Sequence, residues 1–457
     1  MKYRQCVLLL LLLLGTSLFL LPSCKKDTSN GNTSLDSLDL IDKVKDTAWT
    51  YAQELYLWYD QLPRSFDPQS YSDPNAIMEA IRAYSIEPGF SGPVDRWSFG
   101  IKQSEWDDVS SGISGDFGLS IFFNSTNDLR VSYVEPASPA GAAGITRSWR
   151  IMSINNDATI NTDDATISRI SAAVFNSAST GFVFRRPDNT DTAITLTAAS
   201  YQEQPLLLDT IYTVGAEKVG YMVYNSFLGD VTVIKNDFSS LFSSFSSAGI
   251  QDLIVDLRYN GGGYVELQNE LANYLVPAAG NGSVMLQEKF NDKYSQYYDS
   301  TINYAKKGSL NLSRIFFITA KNTASASELL INSLKPYMDV KLVGRATHGK
   351  PVGFFNIPDG DWYIFPVSFR SVNKNGEGNY FDGLQPDAGV SDGLDKQWGD
   401  VNESCLASAL HYVSDGVFSN ISARGTQDAA TDAGNIKFDA RRFKGAVTGG
   451  KPLMIVK

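Results

Sequence analysis

A chain of 457 residues, 43% hydrophobic and 12% aromatic, has the composition of a folded protein of two to four domains and not of a disordered one. A formal net charge of −11, with no basic block, argues against nucleic acid as a partner. The cysteines are Cys6, Cys24 and Cys405 and the histidines His348 and His411, so a disulfide framework is excluded, and a zinc site or a Ser-His-Asp triad has almost nothing to draw on.

Residues 1–23 read as a signal peptide. Lys2 and Arg4 precede the apolar run Val7 to Leu14, which is short for a membrane span. The run ends at Leu21-Pro22-Ser23-Cys24, which resembles a bacterial lipobox; lipidation of Cys24 is expected, although Pro22 departs from the usual small residue. Cys24-Lys25-Lys26-Asp27 is similar to the start of lipoproteins of the Bacteroidetes type. The implied location is the cell envelope of a Gram-negative bacterium, on the periplasmic or outer-membrane side. Residues 24–37, rich in Ser, Asn, Thr and Gly, read as a flexible tether.

Residues 38–104 read as a helical domain. Leu40, Ile41, Val44, Ala48, Tyr51, Ala52 and Leu55 recur at three and four, and Asp73-Pro74-Asn75 opens a second helix. Residues 105–203 read as short strands. Gly115-Asp116-Phe117-Gly118-Leu119-Ser120-Ile121 is an apolar-Gly-apolar loop entering a strand, and Val134 to Ile145 is followed by Arg150-Ile151-Met152-Ser153-Ile154-Asn155. Both runs resemble bacterial PDZ modules. The resemblance implies that Phe117, Gly118, Leu119 and Ile121 bind a peptide, its terminal carboxylate on backbone N–H groups and its chain along the strand edge.

Residues 204–425 alternate strands and helices. Val219 to Val223 is a strand; Val231 to Phe245 is a helix with Val233, Phe238, Leu241 and Phe242 on one side. The buried strand Leu253 to Leu257 runs into Arg258-Tyr259-Asn260-Gly261-Gly262-Gly263 and a helix to Leu275. The apolar run Arg314 to Thr319 precedes Thr323-Ala324-Ser325-Ala326-Ser327-Glu328, and Leu329, Leu330, Ile331 and Leu334 then fall at helical spacing. A serine at that strand-to-helix turn has its hydroxyl at the positive end of a helix dipole, which suits a nucleophile or a plain N-cap. The core sheet is expected to continue through Tyr363 to Val367. Residues 426–457, rich in Gly, Ala and Asp, form a tail without an assigned element.

Four motifs in order resemble the carboxy-terminal processing proteases, the S41 serine peptidases with a Ser-Lys dyad. They are Asp256-Leu257-Arg258-Tyr259-Asn260-Gly261-Gly262-Gly263, Ser325-Ala326-Ser327-Glu328, Thr347-His348-Gly349-Lys350 and Gly383-Leu384-Gln385-Pro386-Asp387. The resemblance covers roughly residues 40 to 395. It implies an α/β fold: a crotonase/Clp-like ββα spiral catalytic core, an inserted PDZ-like β domain and an N-terminal helical domain. By family spacing the nucleophile is Ser325, not Ser327, and Lys350 is its base. The resemblance maps the oxyanion hole to Ala326 and to Gly262 or Gly263, and gives Glu328 the part of a glutamate that in some members helps hold the lysine; on its position alone it is equally a first-turn acid favoured by the helix dipole. Phe354 stands where many members carry a glutamine that orients the lysine, so Glu328 or Thr347 takes over that task or activity is weakened. His348 reads as a flank of the motif.

A lysine can act as base only when its amine is neutral, so Lys350 must be buried. The expected function is a lipid-anchored serine endopeptidase acting on polypeptides near their C-termini through an acyl-enzyme, with no metal or cofactor. The alternatives are a non-catalytic peptide-binding lipoprotein on the same fold, or an esterase or amidase of small substrates.

Overall fold

The structure is a computed structural model that describes residues 33–419, together with 435 and 447–448; residues 33–39 and 447–448 enter as backbone alone. The expected signal peptide, Cys24, and most of the segments expected to be tether and tail lie outside the described residues.

The core is a six-stranded sheet. Its strands run in the order Ala388–Gly389, Asp339–Gly344, Arg314–Thr319, Asp252–Asp256, Glu217–Tyr224 and Leu206–Val214. All neighbours are parallel except the last pair, an antiparallel hairpin. Ile315 to Ile318 and Leu253 to Val255 are fully buried, because helices cover both faces of a parallel sheet. Helices Val231–Ala248, Val265–Leu275 and Ala326–Leu334 pack on one face and Ser404–Asp415 on the other. On Val231–Ala248 the inward stripe is Ile234, Phe238, Leu241, Phe242 and Phe245, while Val233, expected on that side, is 54% exposed. Residues i and i+4 share a helix face, which pairs Phe238 with Ile234.

The N-terminal part is helix Thr33–Leu55, which starts inside the segment expected to be a tether, and helix Pro74–Ile81, capped by Asp73. It ends in strand Phe99–Lys102, which pairs with Trp362–Phe365. The latter strand was expected to extend the core sheet; it belongs instead to a three-stranded sheet shared with the N-terminal part. Tyr56, Trp58 and Trp97 thereby share one aromatic core with Phe354, Phe365 and Phe369.

Between these parts lies a five-stranded antiparallel sheet, in the order Leu119–Ser125, Asp128–Val134, Arg150–Ile154, Ser179–Arg185 and Asp191–Thr197, covered by helix Asp164–Phe175. Leu119–Ser125 is an edge strand. Arg147 bolts this sheet to the core: buried, it donates to Ser132 O, Tyr259 Oη and Lys396 O and pairs with Asp392. Asp392 and Glu403 also receive Arg258, so the arginine of the Asp-Leu-Arg motif is structural. A last sheet runs Ser300–Asn303, Val284–Phe290, Phe369–Val372, Val352–Phe355 and Val447–Thr448. Among the described residues no helix is long and apolar enough to cross a membrane.

Candidate active site

Strand Arg314–Thr319 delivers the chain to a sharp turn at Ser325, and helix Ala326–Leu334 begins at once. Ser325 sits at φ +59°, ψ −113°, a conformation that a non-glycine residue holds only when its surroundings force it. The forcing contacts are visible. Asn260 O accepts from Ala324 N–H at 3.1 Å and from Ser327 Oγ at 3.0 Å, and Glu328 Oε2 accepts from Ser325 N–H at 2.8 Å. The two serines are thus told apart: Ser327 spends its hydroxyl on the backbone, whereas Ser325 Oγ is buried and meets no hydrogen-bond partner among the described residues.

Glu328 is the hub. Its carboxylate accepts from Ser325 N–H, from Thr347 Oγ1 at 2.5 Å, from Gly349 N–H at 2.7 Å and from Lys350 N–H at 2.8 Å. Burial pushes its carboxyl up, and the four donors pull it back; a carboxyl surrounded only by donors is best served by the ionised, acceptor-only form. Thr347 can spend its proton on Glu328 because its own oxygen accepts from Leu384 N–H at 2.7 Å. One buried side chain therefore ties the serine turn to the lysine loop. Glu328→Gln would put an amide N–H against these donors. We expect kcat to fall about a hundredfold with KM nearly unchanged, and unfolding free energy to fall by about 2 kcal/mol, read by steady-state kinetics and urea melts.

Lys350 is 1% exposed. Burial drives its amine well below the ordinary lysine value, against the partial opposition of Asp95 and Glu328. Its Nζ lies 3.7 Å from the centre of the Phe354 ring. Phe354 therefore does not orient the amine by a side-chain amide; it walls it from water, while Glu328 fixes the backbone of the loop. His348 is no base: its Nε2 accepts from Trp97 Nε1 at 3.0 Å, and burial, with the charges of Arg96, Lys321 and Lys350, pushes it down to about 4.

The glycine turn lies against the serine. A Cβ on Gly262 would stand 2.9 Å from Ala324 O and Ser325 Cβ and 3.0 Å from Ala326 N. One on Gly263 would stand 2.3 Å from the Phe227 backbone. Both residues have positive φ, so side chains are excluded on two counts. Gly262 N–H is already donated to Asn260 Oδ1 at 2.9 Å.

The residues expected to bind a peptide are split. Phe117, Leu119 and Ile121 bury their side chains in the inserted domain's own core, so only their backbone can meet a ligand. Gly118 takes φ +67° and donates its N–H to Asp116 Oδ1.

Sequence reading missed the segment from Asp95 to Ser98. Asp95 is buried and accepts from Tyr56 Oη, Trp97 N–H, Ser98 N–H and Ser98 Oγ. Arg96 donates to Phe381 O and Trp97 to His348, so the N-terminal domain clasps the lysine loop. These contacts span about 250 positions of chain, and nothing local in Asp95-Arg96-Trp97-Ser98 announces them.

Two family models match the chain: peptidase family S41 over residues 218–390 and the peptidase S41 N-terminal domain over residues 43–99. The chain is 25% identical over 288 residues to the carboxy-terminal processing protease CtpB of Bacillus subtilis, covering 61% of this chain and 55% of CtpB. It is 27% identical over 259 residues to the carboxyl-terminal-processing protease of a Picosynechococcus strain, covering 55% and 58%. The match thus spans little more than half the length of these relatives. A solved structure that bears an S41 protease name, from Bacteroides fragilis, superposes with a TM-score of 0.67 at 23% identity, covering 80% of this chain and 97% of that one. That likeness is one of fold.

Proposed function

Because the chain belongs to peptidase family S41, we propose that it is a serine endopeptidase of the carboxy-terminal processing type, acting on polypeptides near their C-terminal ends. The observation that carries the reading is a buried amine and a buried hydroxyl, the latter without a hydrogen-bond partner among the described residues, whose backbones hang on one carboxylate. Lys350 takes the proton of Ser325 Oγ, which attacks the scissile carbonyl carbon. The oxyanion is met by Ala326 N–H, the first of the helix, and by Gly263, since Gly262 N–H is committed to Asn260. The C–N bond breaks, the amine departs with the proton held on Lys350, and water hydrolyses the acyl-serine.

The inserted sheet is read as a PDZ-like receptor. Its edge strand Leu119–Ser125 offers backbone to an extended peptide beside the turn at Gly118. Acylation at Cys24 would hold the enzyme on the envelope, a reading that stands on sequence alone. The rival, a peptide-binding lipoprotein without chemistry, draws on Phe354 and on a Ser325 Oγ that meets no hydrogen-bond partner among the described residues; catalytic contacts can tighten only when substrate arrives. A fluorophosphonate probe decides. Labelling at Ser325 between pH 6 and 10, together with cleavage of an unfolded polypeptide, supports the peptidase; an unlabelled serine supports the rival. Labelling with cleavage of short acyl esters alone would point to an esterase.

A further inference from the structure

The sheet edge that takes part in the proposed reading, and the strand that carries Phe354, are met by the same distant part of the chain. On the inserted sheet, the outward backbone of Phe123 is satisfied by the side chain of Asn435. Phe123 N–H donates to Asn435 Oδ1 at 2.7 Å, and Asn435 Nδ2 donates to Phe123 O at 3.0 Å. A side-chain amide here makes the same pair of bonds that an added strand would make. On the outer sheet, strand Val352–Phe355 has Phe369–Val372 on one side and Val447–Thr448 on the other. Val447 stands opposite Phe354 and Thr448 opposite Phe355, in parallel register. Phe354 is the residue whose ring walls the Lys350 amine, and helix Val265–Leu275, which opens just past Gly263, lies against the same two residues.

Charge adds an independent argument. Between Asn435 and Val447 the sequence carries Lys437, Arg441, Arg442 and Lys444 against Asp439 alone, in a chain whose formal net charge is −11. These scattered cations, too sparse to form a basic block, are still attracted to an acidic body.

We infer that the edges of Leu119–Ser125 and Val352–Phe355 are two ends of one polypeptide-binding surface, and that Asn435 and Val447–Thr448 of this same chain occupy those two ends in competition with substrate. The inference rests on the peptidase reading for its consequence but not for its geometry. A tethered occupant competes at an effective concentration set by its linker, so it raises the apparent KM and leaves the chemistry alone.

The test uses full-length protein carrying Asn435→Ala, Val447→Pro and Thr448→Pro. The first change removes both amide bonds, and the prolines remove N–H groups from the added strand. With an unfolded polypeptide as substrate, KM is expected to fall about tenfold and kcat to stay within a factor of two. A labelled synthetic peptide of residues 430–457 should bind the triple variant and inhibit it, and should bind wild type far more weakly. If wild type reacts with the fluorophosphonate probe while the triple variant keeps the wild-type KM, the inference is overturned and the peptidase reading stands. If wild type does not react, the peptidase reading fails, and peptide binding alone judges the inference: no binding to the triple variant sinks it.

Discussion

Ser325→Ala is expected to reduce cleavage of an unfolded polypeptide by about a thousandfold or more and to abolish fluorophosphonate labelling, with no loss of stability. The first part follows from removing the only atom proposed to attack the carbonyl; residual turnover would come from the oxyanion site and binding. The second part is specific to this structure. Ser325 Oγ meets no hydrogen-bond partner among the described residues, so deleting it is expected to orphan no buried donor or acceptor. The strain at φ +59° remains in alanine but disappears in glycine, so Ser325→Gly should be inactive yet more stable, by about 1 kcal/mol. Thermal melts of the three proteins check the order. A Ser325→Ala protein that still cleaves would move the nucleophile elsewhere, and one that melts much earlier than wild type would make the hydroxyl structural.

Lys350→Met should be equally inactive and should unfold less readily than wild type. The side chain keeps its length and loses a buried amine, so the unfolding free energy is expected to rise by about 1–3 kcal/mol. The pH dependence fixes the interpretation. The folded-state value of Lys350 is driven far below 10.5, its ordinary value and that of the unfolded chain. Between those two values the unfolded chain binds the extra proton, so wild-type stability rises with pH through that window. In the methionine variant this contribution vanishes and the curve flattens. Activity of wild type should follow the same group, rising with pH as the amine becomes neutral. Melting temperatures from pH 6 to 10 measure the first effect, and kcat/KM over the same range the second. A methionine variant that is less stable, with an unchanged pH slope, would mean that the lysine works as a cation in a structural pair.

The motifs made much of this site legible, because each one is local. Small residues before an apolar helix mark a sharp turn, and three consecutive glycines mark a place where backbones approach closely; Gly262 and Gly263 meet Ser325 and Phe227 as such a reading expects. The role of Glu328 was half legible. The family resemblance suggested that it helps hold the lysine, and its place in the first helical turn suited a plain dipole-favoured acid, but sequence could not say that it would gather Thr347, Gly349 and Lys350 at once. Two local readings failed for a shared reason. Val233 and the strand Trp362–Phe365 are apolar enough for the core sheet's layers, but packing partners chose Ile234 for one place and the N-terminal strand Phe99–Lys102 for the other.

By itself the sequence determined the family and the strand-to-helix turn at Ser325, since those depend on local runs of residue types, and the family resemblance named Lys350 as the expected base. Tertiary structure decided the rest: that the amine is dry, that Phe354 is its wall, that Trp97 reaches the lysine loop from the N-terminal part, and that Asn435 rests on Phe123. Burial and electrostatic environment are made by residues far apart in the chain, and a lysine's protonation is set by what surrounds it in space and not by what precedes it in sequence.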